Sequence, residues 1–204
     1  MPKPKSDDEF EQFAPIEDKH STENDSYNTR KVQPSADTNI VVLSEKDWRQ
    51  KVRTRAITYL AKREYSRFEL RKKILFSLRQ FECEHEMAGH ILEEVLDHLS
   101  HDNWQSDARV AASIAKVKGE RYGSARVRHE LNQQGLDNEL IAQELAQLAN
   151  TELRRAHEVW QKKFGQAPVD LKEKAKQVRF MASRGFGFDV INKVIKGADD
   201  LYFE

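Results

Sequence analysis

One helical unit recurs along the chain, and that repeat limits the possible folds more tightly than any composition value. Displaced by 57 residues, Arg63–Ile74 (REYSRFELRKKI) lies over Glu120–Leu131 (ERYGSARVRHEL). Tyr65 then falls on Tyr122, Leu70 on Val127, Arg71 on Arg128 and Ile74 on Leu131. Displaced by 50, Leu131–Leu145 lies over Met181–Ile195, with Gly135 on Gly185, Leu136 on Phe186, Ile141 on Ile191 and Leu145 on Ile195. Three tandem copies of a helical unit are the reading that fits both displacements. The middle copy, Arg121–Leu145, is the best punctuated. Ser124 is placed to cap a helix whose Val127 and Leu131 sit four apart, and Gly135 falls where a left-handed C-cap belongs. Asp137 then caps a second helix carrying Leu140, Ile141, Leu145 and Leu148.

The 204 residues divide on this basis. Residues 1–43 are rich in Asp, Glu, Ser, Asn, Thr and Pro, and their few apolar residues, among them Phe10, Phe13 and Ile16, are scattered; this predicts a disordered acidic tail. The first unit, 44–102, opens with Ser44 and Asp47 at capping positions and a stripe of Trp48, Val52, Ala56, Tyr59 and Leu60. Its second helix is capped by Ser66 with Glu69 and runs through Phe68, Leu70, Ile74, Leu75 and Leu78. After a polar break at Gln80–Glu86, its third helix carries Ile91, Leu92, Val95, Leu96 and Leu99. The second unit, 103–149, starts at the punctuation Asn103–Ser106. The third, 150–197, places Leu153, Ala156, Trp160 and Phe164 on one helix. Asp170 with Glu173 caps the next, through Leu171, Ala175, Val178 and Met181, and Val190, Ile191, Val194 and Ile195 close the unit. Residues 198–204 form a C-terminal tail in which Leu201, Tyr202 and Phe203 can pack locally. The one β-branched run, Ile40–Val42, is too short to predict a sheet. The expected fold is all-α: three tandem three-helix repeats. A unit of this size buries little by itself, so neighbours share apolar faces in an elongated, curved array.

Charge is balanced, 34 basic against 34 acidic residues, but segregated. Residues before Trp48 hold 11 acidic and 6 basic side chains; Arg49–Gln80 holds 11 basic against Glu64 and Glu69; Phe81–Asp102 holds seven acidic and no Lys or Arg. Such segregation predicts surfaces of opposite sign. The single cysteine, Cys83, excludes an internal disulfide framework, and no apolar run approaches a membrane span, so the expectation is a cytoplasmic monomer. Cys83, His85, His90, His98 and His101 lie near one another in sequence, but without the spacing of a zinc motif. Phosphate loop, dinucleotide fingerprint and nucleophile elbow are all missing, so neither an enzyme nor a cofactor is predicted.

The residues that point to function are cations at matching places in the units. Arg67, Arg71, Lys72 and Lys73 sit on the second helix of unit one, Arg121, Arg126 and Arg128 on its counterpart in unit two, and Lys174, Lys176, Arg179 and Arg184 on that of unit three. A line of basic patches suits an extended anionic partner. Tyr65 and Tyr122 precede two of these helices; each is placed to stack on a partner or, as the favoured reading, to act as a hydrophobic staple. Arg126 and Glu130 have i,i+4 spacing.

Four stretches in this order, YLAKREYSRFELRKKI (59–74), ERYGSARVRHELNQQGL (120–136), KKFG (162–165) and RFMASRGFGFDVINKVI (179–195), resemble the RecX family of bacterial recombinase regulators. The resemblance runs from about Val52 to Ile195. It implies three three-helix units that lie along the helical groove of the RecA–single-stranded DNA filament and inhibit ATP hydrolysis, strand exchange and repressor cleavage. RecA and single-stranded DNA, with duplex DNA as a weaker partner, are the partners implied. The basic residues above, with Tyr122, are then the candidates for contact with filament or DNA. The family often has an acidic pair and an aromatic between units one and two; here NWQSDARVA (103–111) offers Trp104 and the single acid Asp107. Two other readings stay open: a helix-turn-helix regulator of duplex DNA built on 124–148, and a helical-repeat scaffold for another protein.

Overall fold

The computed structural model describes residues 40–84 and 87–197. The acidic tail up to residue 39, His85 and the 198–204 segment with Leu201, Tyr202 and Phe203 lie outside them. Nine helices and two short strands follow in order among the described residues: β1 (Val41–Leu43), α1 (Glu45–Leu60), α2 (Arg67–Ser77), β2 (Phe81–Cys83), α3 (Ala88–His101), α4 (Asp107–Gly119), α5 (Ser124–Gln133), α6 (Asn138–Ala149), α7 (Glu152–Lys163), α8 (Leu171–Ser183) and α9 (Phe188–Gly197).

The helices group in threes, and each group has its own core. Trp48, Val52, Leu70, Ile74, Ile91, Leu92 and Leu96 are among the buried residues of the first. Ala111, Val127, Leu131, Leu136, Ile141 and Leu145 form the second. Ala156, Trp160, Met181, Phe186, Ile191, Val194 and Ile195 form the third. In every group the first helix packs on the third: α1 on α3, α4 on α6 and α7 on α9. A buried Leu or Ile contributes about 1.5–3 kcal/mol, so these periodic apolar positions carry most of the stability.

Local capping follows the sequence at four starts. Ser44, Ser66, Asp137 and Asp170 each accept from a backbone N–H in the first turn of their helix. Gly135 and Gly185 turn the chain at φ of 67° and 84°. Ser124 departs from expectation. It is the first residue of α5 rather than its cap, and its Oγ is buried without a partner. Its backbone N–H donates instead to Glu152 of α7 at 2.8 Å. The cap comes from another unit, which local spacing cannot reveal.

Two further departures have physical causes. The run 41–43 does form a sheet: β1 pairs in parallel with β2, with Val41 opposite Phe81 and Leu43 opposite Cys83. The partner strand lies in the stretch read as a polar break, and Leu43, Phe81 and Cys83 pack against the first core. In α8, Leu171 is 86% exposed and Ala175 is also on the surface, while Gln177 is fully buried. The Gln177 amide accepts from the Trp160 indole N–H at 2.8 Å and donates to the Gln166 carbonyl at 3.2 Å. A polar residue serves the core here because the buried indole needs an acceptor.

Candidate filament and nucleic-acid interface

The candidate residues are positioned by two junctions built on one plan. At the first, Ser66 Oγ donates to the Gln134 carbonyl at 2.7 Å, and the Arg67 backbone N–H donates to Asp107 Oδ1 at 2.8 Å. At the second, the Gly123 backbone N–H donates to the Arg184 carbonyl at 3.0 Å, and the Ser124 N–H donates to Glu152. Ser66 and Gly123 are equivalent under the 57-residue displacement, as are Arg67 and Ser124; Gln134 and Arg184 are equivalent under the 50-residue one. The start of the second helix in one unit is thus held by the glycine turn and by the first acid of the next unit. A carboxylate at a helix N-terminus is favoured by the helix dipole as well as by its hydrogen bond. Asp107, the single acid of the 103–111 stretch, has this role at the first junction.

At the second junction the backbones touch. A Cβ on Gly123 would overlap the Gly185 carbonyl, and one on Gly185 would lie 2.6 Å from the Arg126 nitrogen. Buried beside them, Arg155 of α7 donates to the carbonyls of Gly119, Tyr122 and Leu148 and to the Thr151 hydroxyl. No carboxylate is among these partners, and burial pulls its guanidinium below the usual arginine range despite nearby Glu152.

This close packing brings together cations and aromatic rings from two units. The Arg184 guanidinium lies 5.3 Å from the Tyr122 ring and 5.2 Å from the Phe180 ring. Arg126 lies 5.9 Å from the same Tyr122 ring, and Lys163 lies 5.9 Å from the Phe180 ring. The order Lys163, Phe180, Arg184, Tyr122, Arg126 is a ladder of alternating cations and rings that crosses the boundary between units two and three. Such contacts are worth about 0.5–1 kcal/mol each at exposed sites. Of these five, Tyr122, Arg126 and Arg184 are candidates from the sequence. Phe180 and Lys163 were missed, although the i,i+4 spacing of Phe180 and Arg184 carried a signal.

The other candidates differ in their surroundings. Arg67 pairs with Glu93 at 2.7 Å and Asp97 at 2.6 Å, and Arg71 pairs with Glu93 at 2.7 Å. Arg49 pairs with Glu94 at 2.6 Å. The basic and acidic segments of the first unit therefore face each other, α1 and α2 against α3, and partly cancel. The Arg67 hydrogen bond, joined by Arg71, outweighs burial and holds the Glu93 carboxyl below its ordinary range. Lys72 lies over Phe68 at 5.2 Å and Lys73 over Tyr65 at 5.7 Å. Tyr65 itself is buried edge-on to Tyr59 of α1, whereas Tyr122 is half-buried within the ladder. Arg126 also meets Glu130 at 3.4 Å. Arg121 and Arg128 are exposed on either side of the α5 start. Lys174, Lys176 and Arg179 are exposed on α8. No three His, Cys, Asp or Glu side chains gather at metal-binding distance among the described residues. No described helix is long and apolar enough to cross a membrane.

Comparison with known proteins places this architecture. The family model described as "RecX, third three-helix domain" matches residues 150–195. The regulatory protein RecX of Ralstonia pickettii (strain 12J) is 41% identical over 150 residues, covering 74% of this chain and 89% of the relative. The regulatory protein RecX of Chromobacterium violaceum is 42% identical over 154 residues, covering 75% of this chain and 95% of the relative. The crystal structure of RecX from Lactobacillus salivarius superimposes with a TM-score of 0.65 at 19% identity, covering 76% of this chain and 99% of that one, and so shares the fold. At this identity and coverage of its relatives, the chain belongs to the RecX family of regulatory proteins.

Proposed function

We propose that this protein binds the RecA–single-stranded DNA filament along its helical groove and thereby inhibits ATP hydrolysis, strand exchange and repressor cleavage by RecA. It acts in the cytoplasm by binding, with no chemistry or cofactor of its own. The observation that carries the reading is the cation–aromatic ladder across the second junction, within a chain of the RecX family. A surface that alternates positive charge with aromatic faces suits a partner combining anionic and stackable or apolar groups. Repeated units give such a surface length, so one molecule is able to span several filament subunits. The helix-turn-helix reading is weaker because α6, the would-be recognition helix, carries Glu139 and Glu144 and no Lys or Arg.

The test is the affinity of the folded double variant Arg126→Ala/Arg184→Ala for a fluorescent RecA–single-stranded DNA filament. Both changes leave the backbone hydrogen bonds of the junction in place. Binding at low salt should weaken at least about tenfold relative to wild type, as expected for two lost cationic contacts. Undiminished binding by the double variant would remove the ladder from the interface.

A further inference from the structure

The third unit is the last among the described residues, and its second helix differs from the other two in what covers it. In units one and two the residues before this helix are Tyr65 and Tyr122, buried and half-buried at a junction. The equivalent residue in unit three, just before the Asp170 cap, is Val169, which is 91% exposed. Beside it lies an open groove of about 390 Å³ lined by Phe164, Asp170, Lys172, Glu173, Lys176 and Arg179.

The charges in the groove are not balanced locally. Asp170 Oδ1 accepts from the Glu173 backbone N–H at 2.6 Å, and Glu173 Oε2 accepts from the Val169 N–H at 3.0 Å. Both carboxylates cap the start of α8 and keep their charge, which leaves Lys172, Lys176 and Arg179 in excess over two acids in the lining. Lys172, Lys176 and Arg179 are spaced four and three apart, hence on one ridge of α8. Among the described residues none of the three has a carboxylate partner, and Arg179 Nε donates to the Ala175 carbonyl of its own helix, at 3.3 Å. The surrounding unit repeats the imbalance. Residues 150–197 hold 11 basic against 5 acidic side chains, whereas 103–149 hold 6 against 6 and 44–102 hold 12 against 11. Phe164 gives the groove an apolar wall, half-buried and edge-on to Phe180 at 5.3 Å, which links the groove to the ladder.

We infer that the groove on α8 is a single-stranded nucleic-acid site, in which Lys172, Lys176 and Arg179 take backbone phosphates and Phe164 offers its face or edge to an unpaired base. A ridge of cations tracks a phosphate backbone, and an aromatic wall favours a strand whose bases are not already stacked in a duplex. Within the filament reading, on which its biological setting rests, this assigns nucleic-acid contact to the third unit. The first unit, whose Arg67 and Arg71 are already paired, is left to other contacts.

The experiment uses the full chain and a fluorescent oligo-dT strand without RecA, with anisotropy titrations across a salt series. The variant Lys172→Ala/Lys176→Ala/Arg179→Ala is compared with Lys46→Ala/Arg53→Ala/Arg55→Ala, which removes the same charge from α1. For three phosphate contacts the slope of log K against log salt should become shallower by about 2 in the α8 variant. The α1 variant should keep the wild-type slope. An unchanged slope and affinity in the α8 variant would overturn the site, as would a wild-type protein that fails to bind the strand at low salt. Normal strand binding by the α8 variant together with lost inhibition of RecA would also overturn it, because the groove would then face protein. Wild-type strand binding that depends on α8 without any effect on RecA would sink the filament reading and leave the groove standing.

Discussion

Arg155 shows most clearly what a single residue does here. It is 8% exposed, and its guanidinium satisfies the carbonyls of Gly119 and Leu148, at the ends of the first and third helices of unit two, and of Tyr122, in the turn between its first and second helices. A planar fork suits three acceptors in different directions, and a lysine ammonium cannot reproduce it. Replacing Arg155 by Met should cost about 3 kcal/mol in urea unfolding, because buried acceptors lose a charged donor; a loss under about 1 kcal/mol would show that water replaces it. Little of this was legible in the sequence. Arg155 reads as one cation in the pair Arg154–Arg155, and its partners lie up to 36 residues away. The helix caps at Ser44, Ser66, Asp137 and Asp170 were legible, since donor and acceptor lie within three residues of each other. Ser124 was misread for the opposite reason, its acceptor being 28 residues on.

Among the elements, helix periodicity and glycine turns were enough to place all nine described helices. They were not enough for β1 and β2, because a three-residue parallel pair depends on a partner about 40 residues distant rather than on its own alternation. The junctions carry the sharpest prediction at this scale. Gly123 has an ordinary φ of −76°, so Gly123→Ala acts only through contact with the Gly185 turn. Gly185→Ala adds the strain of φ 84°. Both should destabilise the fold, by about 1–3 kcal/mol for the first, as overpacking does, and by more for the second. Equal thermal stability of Gly123→Ala and wild type would mean that the units separate easily at this point. The pairing of α2 with α3 gives a pH signature. The Glu93 carboxyl is held below its ordinary range in the folded state, so its contribution is complete above the unfolded value of about 4.3 and is lost as the pH falls through the folded one. Glu93→Gln should flatten the acid decline in stability between about pH 5 and pH 3, by no more than about 1 kcal/mol because the pair is partly exposed and screened. An unaltered acid limb would show that Arg67 and Arg71 do not favour the ionised carboxylate.

For the whole molecule, the repeat decides where function is placed. Each unit presents a basic second helix, but its surroundings differ. In unit one it faces the acids of α3, at the second junction it joins the aromatic ladder, and in unit three it stands open. The sequence carried the line of cations, while the sorting among them depends on which acids the fold brings near. We propose that this surface regulates RecA on single-stranded DNA. Single-stranded-DNA-dependent ATP hydrolysis by RecA, with this protein titrated in, tests it most directly. Hydrolysis should fall well below a one-to-one ratio of this protein to RecA, as expected for a regulator acting on the filament as an assembly. Full hydrolysis in the presence of a stoichiometric excess of folded protein at low salt would contradict the account.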